Sequence, residues 1–244
     1  MTEWAVFAEP STWTFLLGGL WVTLRISAAT ILFSFVLGTL LALASMARAG
    51  PLRWLAATYV QVMRGIPVFV VILVSYFGLG RLGVHVDAAT SVALALIVYT
   101  TAYISEIVRG GLLSVARGQM DAAQSLGIRR VDALRFVILP QAFRAMVPPL
   151  VNQYIIAING TSIGSVIGLD ELLRRSVILY NGHQNPIQTL VVSGTMYFLV
   201  LFALSSFSRR FELSHLMQRP TPTARTWPVA LLRFRRYAEM LTTR

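Results

Sequence analysis

Cysteine and lysine are both missing from this 244-residue chain, and histidine occurs only at His85, His183 and His215. Without cysteine there can be no disulfide, no thiolate nucleophile and no zinc–cysteine site. Three histidines spread so far apart argue against a histidine-built metal cluster. Without lysine the phosphate-binding pattern Gly-x4-Gly-Lys-Ser/Thr cannot be written, so the chain has no ATP-hydrolysing motif of that kind. Charge is scarce too: 13% of residues are charged and 56% are hydrophobic, against about 25% charged in soluble domains. A soluble core of this size would need a more charged surface, so the composition points to a membrane. The 10 acids are outnumbered by 21 arginines, for a net charge of +11. In a soluble protein that excess would suggest nucleic acid, but its placement along the chain points elsewhere.

What the sequence does have is long apolar runs. A bilayer core about 30 Å thick takes about 20 helical residues, and five segments qualify: 26–46 with an amphipathic lead-in at 14–25, 66–80 extending back toward Leu55, 88–107, 145–169 broken in its middle, and 187–207. The first residues, with Glu3 and Glu9 and no basic residue, do not resemble a cleavable signal, so the first span is expected to be retained. Alternate loops hold 17 of the 21 arginines on one side and Arg81, Arg174 and Arg175 on the other, with Arg25 at the outer end of the first span. By the positive-inside rule the N-terminus is outside and the C-terminus cytoplasmic. Trp4, Trp13 and Trp21 then fit an outer aromatic belt. The expectation is an all-α integral membrane protein with about five transmembrane helices. Residues 1–13 lie outside, 14–208 form the transmembrane domain, and 209–244 form a basic cytoplasmic tail.

One polar segment on the cytoplasmic side stands out: "GQMDAAQSLGIRRVDALRFVILPQAF", 118–143. Residues 119–126 favour helix, and Gly127 suits a left-handed C-cap. Residues 130–138 can form a second short helix with Val131, Leu134 and Ile138 on one face, and Pro140 marks the boundary with the fourth span. Ala122 and Ala123 leave the first helix smooth enough for a partner groove. Two readings of these residues stand side by side: a pair of helices lying on the membrane, or a handle gripped by another protein.

The string "DAAQSLGIRRVDALRFVILP" resembles the EAA motif of ABC importer permeases, with Asp121, Ala122, Ala123, Gly127, Val137, Leu139 and Pro140 at the matching positions. "VMRGIPVFV", "AYISEIVRGGLLSVARGQMDAA", "PQAFRAMVPPLVNQYI" and "TSIGSVIGLDEL" extend the resemblance to the polar amino-acid subfamily, over roughly 14–208. The resemblance implies a type I ABC importer transmembrane fold in the bacterial cytoplasmic membrane. It also implies a coupling segment at about 117–140, carried by Gln119, Asp121, Ala122, Ala123, Ser125, Leu126, Gly127, Leu139 and Pro140. Partner ATPase subunits would bind ATP and Mg, an extracytoplasmic binding protein would deliver substrate, and a second copy or paralogue would complete the pathway. The chain itself would need no cofactor and perform no catalysis. Two departures touch this pattern: Asp121 is one methylene shorter than the usual Glu, and Asn159 stands where many relatives carry Lys before the Thr-Ser pair.

Within the fourth span, Pro148 and Pro149 remove backbone hydrogen bonds, and Gly160, Thr161 and Ser162 could end one helical piece and cap another. A helix N-terminus near the midplane could face a carboxylate, which makes Asn152, Asn159, Thr161 and Ser162 candidates for the substrate path. The alternative is a kinked helix whose hydroxyls bond back to the chain. Glu106, the one acid of the third span, has Arg109 three residues on, a spacing that allows a structural ion pair. Asp170, Glu171, Arg174 and Arg175 in the outer loop could touch a docking protein or simply be solvated. In the tail, Leu231, Phe234, Ala238 and Leu241 beside Arg233, Arg235 and Arg236 suit either an amphipathic segment on the inner leaflet or a solvated extension. A secondary transporter would ordinarily show repeated halves and a membrane enzyme clustered acids or histidines; the sequence offers neither.

Overall fold

The computed structural model describes residues 4–48 and 50–216. All its regular structure there is helical, and the proposed amphipathic part of the tail lies outside the described residues.

α1 (Pro10–Ser45) runs for 36 residues, about 54 Å at a rise near 1.5 Å per residue. Pro10 fits its first turn, where the missing N–H has no partner to lose. Thr12 Oγ1 and Trp13 Nε1 donate to the carbonyls of Val6 and Phe7, each at 2.8 Å, and fasten the short turn Ala5–Ala8 onto the helix. The expected separate lead-in is therefore part of one unbroken helix. Gly18 and Gly19 do not interrupt it because they lie where the chain after the fourth span crosses α1. A Cβ on Gly19 would fall 2.9 Å from the Leu172 Cα. Further along, Thr23, Ser27, Thr30, Ser34, Gly38 and Ala42 form a buried file at three- and four-residue spacing. Such small residues let helices approach closely where apolar lipid gives no hydrophobic drive to associate. The partner is α5, and a Cβ at Gly38 would sit 2.7 Å from the Ile104 Cβ.

The expected second span is two pieces. α2 (Gly50–Gly65) meets a second helical stretch, Val68–Arg81, at 105°. That stretch is α3 (Val68–Leu73), a wide turn at Val74–Gly78, and α4 (Leu79–Arg81). Pro67, in extended geometry, offers no N–H and pushes Ile66 out of the helical region. α5 (Ala88–Ser114) follows, capped by Asp87, whose carboxylate accepts from Thr90 N at 3.1 Å. Those Thr90 hydrogen bonds hold the Asp87 carboxyl below its usual range.

After α6 (Gly118–Ser125), one helical stretch covers Arg130–Ile167. It comprises α7 (Arg130–Ala133), a wide turn Leu134–Ile138, α8 (Leu139–Thr161) and a 3₁₀ turn Ser162–Ile167. Pro140 therefore does not separate loop from span. The wide turn lies just where its ring would strike the Phe136 carbonyl, and widening relieves that clash. Nor is the span broken in its middle, since α8 runs straight through Pro148 and Pro149. Met146, Leu150 and Tyr154, packed with Ile104 and Val108 of α5, hold both sides of the proline pair, so tertiary packing overrides the lost backbone bonds. Regular helix gives way only at Ser162, and the chain turns at Gly168 (φ 93°). α9 (Leu172–His183) and α10 (Pro186–Leu216) complete the bundle. Counting the bent pair once gives five candidate spans. Leu32, Phe33 and Leu40 of α1 and Phe198, Leu199 and Phe202 of α10 are exposed, as expected of lipid-facing surface.

Candidate functional site

α6 ends as its sequence requires. Gly127 adopts φ 77°, its N–H reaches the Gln124 carbonyl at 2.9 Å, and the Ile128 N–H reaches the Ala123 carbonyl at 3.1 Å. This is a Schellman-type stop that a side chain would strain. Ala123 of α6 and Ala133 of α7 are the buried residues of the two short helices, so Ala123 packs inward and only Ala122 is open to a partner. Ser125 Oγ donates to the Asp121 carbonyl at 2.9 Å. Gln141 Nε2 bonds the Val137 carbonyl at 2.9 Å and lies 3.4 Å from Gln119 Oε1, linking α6 to the start of α8.

The expected apolar face of the second helix is only partly inward. Ile138 is 9% exposed, but Val131 is 72% exposed, with Leu126 at 79% and Phe136 at 67%. Leu139 is exposed as well, and so are Asp121 and Pro140. The wide turn at 134–138 shifts the helical phase, which is why Val131 and Ile138 do not share a face. What results is a polar projection at one end of the bundle that carries several large unburied apolar side chains around a glycine stop, Leu126, Val131 and Phe136 the most open of them.

The substrate-path candidates divide. Asn152 and Asn159 are exposed, on the same face of α8 as Pro149 and Ile156. Thr161 is fully buried and its Oγ1 donates to Ile158 O at 2.8 Å, while Ser162 Oγ donates to Asn159 O at 2.7 Å. These hydroxyls bond back to the chain, and the 3₁₀ turn that starts at Ser162 takes no side-chain cap from Thr161. The helix start in this region is instead capped by Glu171, which accepts from Leu173 N and Arg174 N.

Glu106 and Arg109 form a two-pronged pair, Nε to Oε1 at 3.0 Å and Nη2 to Oε2 at 2.8 Å. Arg64 of α2 approaches the same carboxylate at 3.8 Å and lies over the Tyr103 ring, 5.8 Å from its centre. Neither Arg64 nor Tyr103 was picked out by sequence reasoning; only the packing of α2 on α5 brings them together.

The outer-loop charges are not solvated as a group. Glu171 is wholly buried, accepting from Tyr197 OH at 2.5 Å, with Thr23 Oγ1 at 3.5 Å. Arg175 bonds Asp170 at 2.8 and 3.1 Å and the Phe15 carbonyl at 2.8 Å, and Arg174 bonds the Ser165 carbonyl. This is a clasp joining α1, α9 and α10, and Glu171 and Arg175 are committed to it.

Long lipid-facing helices and a short paired-helix projection define a multi-pass helical membrane protein. Comparison with known proteins makes the class specific. The chain belongs to the family described as "Binding-protein-dependent transport system inner membrane component", matched over residues 34–212. It is 34% identical over 203 residues to the probable glutamine ABC transporter permease protein GlnP of Bacillus subtilis (strain 168), covering 82% of this chain and 93% of that protein. It is 32% identical over 199 residues to the arginine transport system permease protein ArtQ of the same organism, covering 81% and 91%. A solved structure titled "Crystal structure of an amino acid ABC transporter with histidines" superposes with a TM-score of 0.76 at 31% identity, covering 82% of this chain and 94% of that one. A chain of the MetNI methionine ABC transporter in an inward-facing conformation, at 21% identity and TM-score 0.66, shares the fold, covering 83% of this chain and 99% of that one. The fold is that of a type I ABC importer transmembrane domain.

Proposed function

We propose that this chain is the permease subunit of an ATP-driven importer for polar amino acids or related small zwitterions in a bacterial cytoplasmic membrane. The observation that carries the reading is the exposed apolar set Leu126, Val131 and Phe136 around the Gly127 stop, in a segment that 17 of 21 arginines assign to the cytoplasm. A monomer has no reason to hold three such side chains in water. A groove on an ATPase subunit, which would bind ATP and Mg, accounts for them. Closing of the ATPase pair then pushes α6, and because Gln119 and Gln141 link α6 to α8, the push reaches the span that carries Asn152 and Asn159. A second copy or a paralogue faces this α8 surface, and an extracytoplasmic binding protein delivers the solute.

The missing cysteine makes the test clean. Leu126→Cys and Val131→Cys, co-expressed with candidate ATPase subunits, should crosslink to an ATPase through a short bifunctional reagent. The reconstituted complex with its binding protein should accumulate glutamine, arginine or glutamate only when ATP is inside the vesicles' cytoplasmic-side compartment. No crosslink at either position, or uptake independent of ATP, refutes the proposal.

A further inference from the structure

Arg64, Tyr103, Glu106 and Arg109 form a cluster that the coupling reading leaves unused. Two guanidiniums share one carboxylate, so the cluster has a net charge of +1. Arg109 takes both oxygens of Glu106 within 3.0 Å, which leaves Arg64 at 3.8 Å, beyond hydrogen-bond range. Among the described residues Arg64 donates no hydrogen bond, and its side chain is 50% exposed. Half exposed and without a hydrogen-bond acceptor, the Arg64 guanidinium keeps its donors available to a further anion. Its fork of donors is shaped for a planar oxyanion.

Position narrows the choice of oxyanion. At 3.6 residues per turn, Tyr99 and Tyr103, whose hydroxyls are 2.9 Å apart, lie on the edge of α5 between its contacts with α2 and with α8. The exposed face of α8, with Asn152 and Asn159, likewise turns away from α1, against which α8 also packs. Arg64 thus begins a series of polar groups turned away from α1, first Tyr103 and Tyr99 in contact with one another on α5 and then the two asparagines on α8. A lipid phosphate would explain Arg64 alone. It would not explain why the polar series continues along α5 and α8.

We propose that Arg64 receives the α-carboxylate of the transported amino acid, with the Tyr103 ring beside its guanidinium and Arg109 occupying both oxygens of Glu106, so that Glu106 does not take Arg64 for itself. The proposal rests on the amino-acid importer reading. Its test is direct binding to the permease–ATPase complex in phosphatidylcholine nanodiscs, without binding protein, using radiolabelled glutamine and arginine. Wild type should bind one of them, and the decarboxylated counterparts 4-aminobutanamide and agmatine should not compete. Arg64→Gln should weaken binding about tenfold or more, the effect of losing a charge-assisted hydrogen bond. Arg64→Lys, which keeps the charge but loses the fork, should weaken it less and guards against misfolding of the glutamine variant. Competition by the decarboxylated amines equal to that of the acids overturns the proposal. So does Arg64→Gln binding at wild-type strength, or an effect confined to retention of phosphatidylglycerol when that lipid is added. If the complete system with binding protein still takes up amino acids under any of those results, the importer reading stands and only this site falls.

Discussion

Removing the Glu171 carboxylate should loosen the outer end of the bundle more than any other single change to a charged residue there. The group is wholly buried. It accepts from Tyr197 OH and from the N–H groups of Leu173 and Arg174, with Thr23 Oγ1 at the edge of range. Glu171→Ala therefore leaves a half-buried phenol and two half-buried backbone donors without their acceptor and creates a cavity. Losing an N-cap costs about 0.5–2 kcal/mol, and each stranded buried donor about 1–3 kcal/mol. Because the donors can share relaxation, the total should be about 3–5 kcal/mol, the range seen when one partner of a buried charged network is deleted. Glu171→Gln keeps one acceptor oxygen and should cost less than half of that. Asp170→Ala, next door on an exposed carboxylate that holds only Arg175, should cost about 1 kcal/mol or less.

Denaturant unfolding in detergent, followed by tryptophan fluorescence, ranks the three variants. A double-mutant cycle with Tyr197→Phe isolates the short hydrogen bond; its coupling should be about 1.5–3 kcal/mol. Equal destabilisation by Glu171→Ala and Asp170→Ala, or strict additivity of Glu171→Gln with Tyr197→Phe, would refute the buried clasp.

Other outcomes follow from the same geometry. Gly38→Ala sets a methyl 2.7 Å from the Ile104 Cβ and should cost about 1–3 kcal/mol by overpacking, whereas Gly110→Ala, with nothing within 4 Å, should be neutral or mildly stabilising in the same unfolding assay. Gly127→Val, forced to φ 77°, should pay about 1–2 kcal/mol locally and lower amino-acid uptake per ATP hydrolysed while the permease still inserts and assembles. Asp87→Ala removes the α5 N-cap at a cost of about 0.5–2 kcal/mol. The Asp87 carboxyl sits below its usual range in the folded protein. Its contribution is therefore fully present above the unfolded-state value, near 3.9, and is lost as pH falls through the lower folded one. Wild type should lose this increment on acidification below about pH 4, and Asp87→Ala should not.

Much of this could be read from the sequence because apolar length and turn chemistry act locally: five segments long enough to span, and a loop whose glycine stop falls at 127. What escaped was set by distant partners. Pro148 and Pro149 favour a break by their own chemistry, yet packing of Met146 and Leu150 on α5 carries α8 through them. Pro67 does break its segment, because no such packing brackets it. Asp170, Glu171, Arg174 and Arg175 have the composition of a wet loop. Thr23 and Tyr197, 148 and 26 residues away from Glu171, turn that acid into a buried cap, and no window of neighbouring residues contains that information.

The exposure of Asn152 and Asn159 has a consequence for the assembly. Each carries an amide with donors and acceptors that acyl chains cannot satisfy, and a polar group left without partners in hydrocarbon costs several kcal/mol. Leu32, Phe33, Phe198 and Phe202, on the lipid-facing surfaces of α1 and α10, show how the same bundle dresses a face meant for lipid. The asparagine face of α8 is dressed differently, so in the working protein it meets water or another subunit. Under the proposed function a second copy or a paralogue covers this face, and pairing two such faces would enclose a polar channel. The proposed pairing would also present two copies of the exposed set Leu126, Val131 and Phe136, one for each member of an ATPase pair.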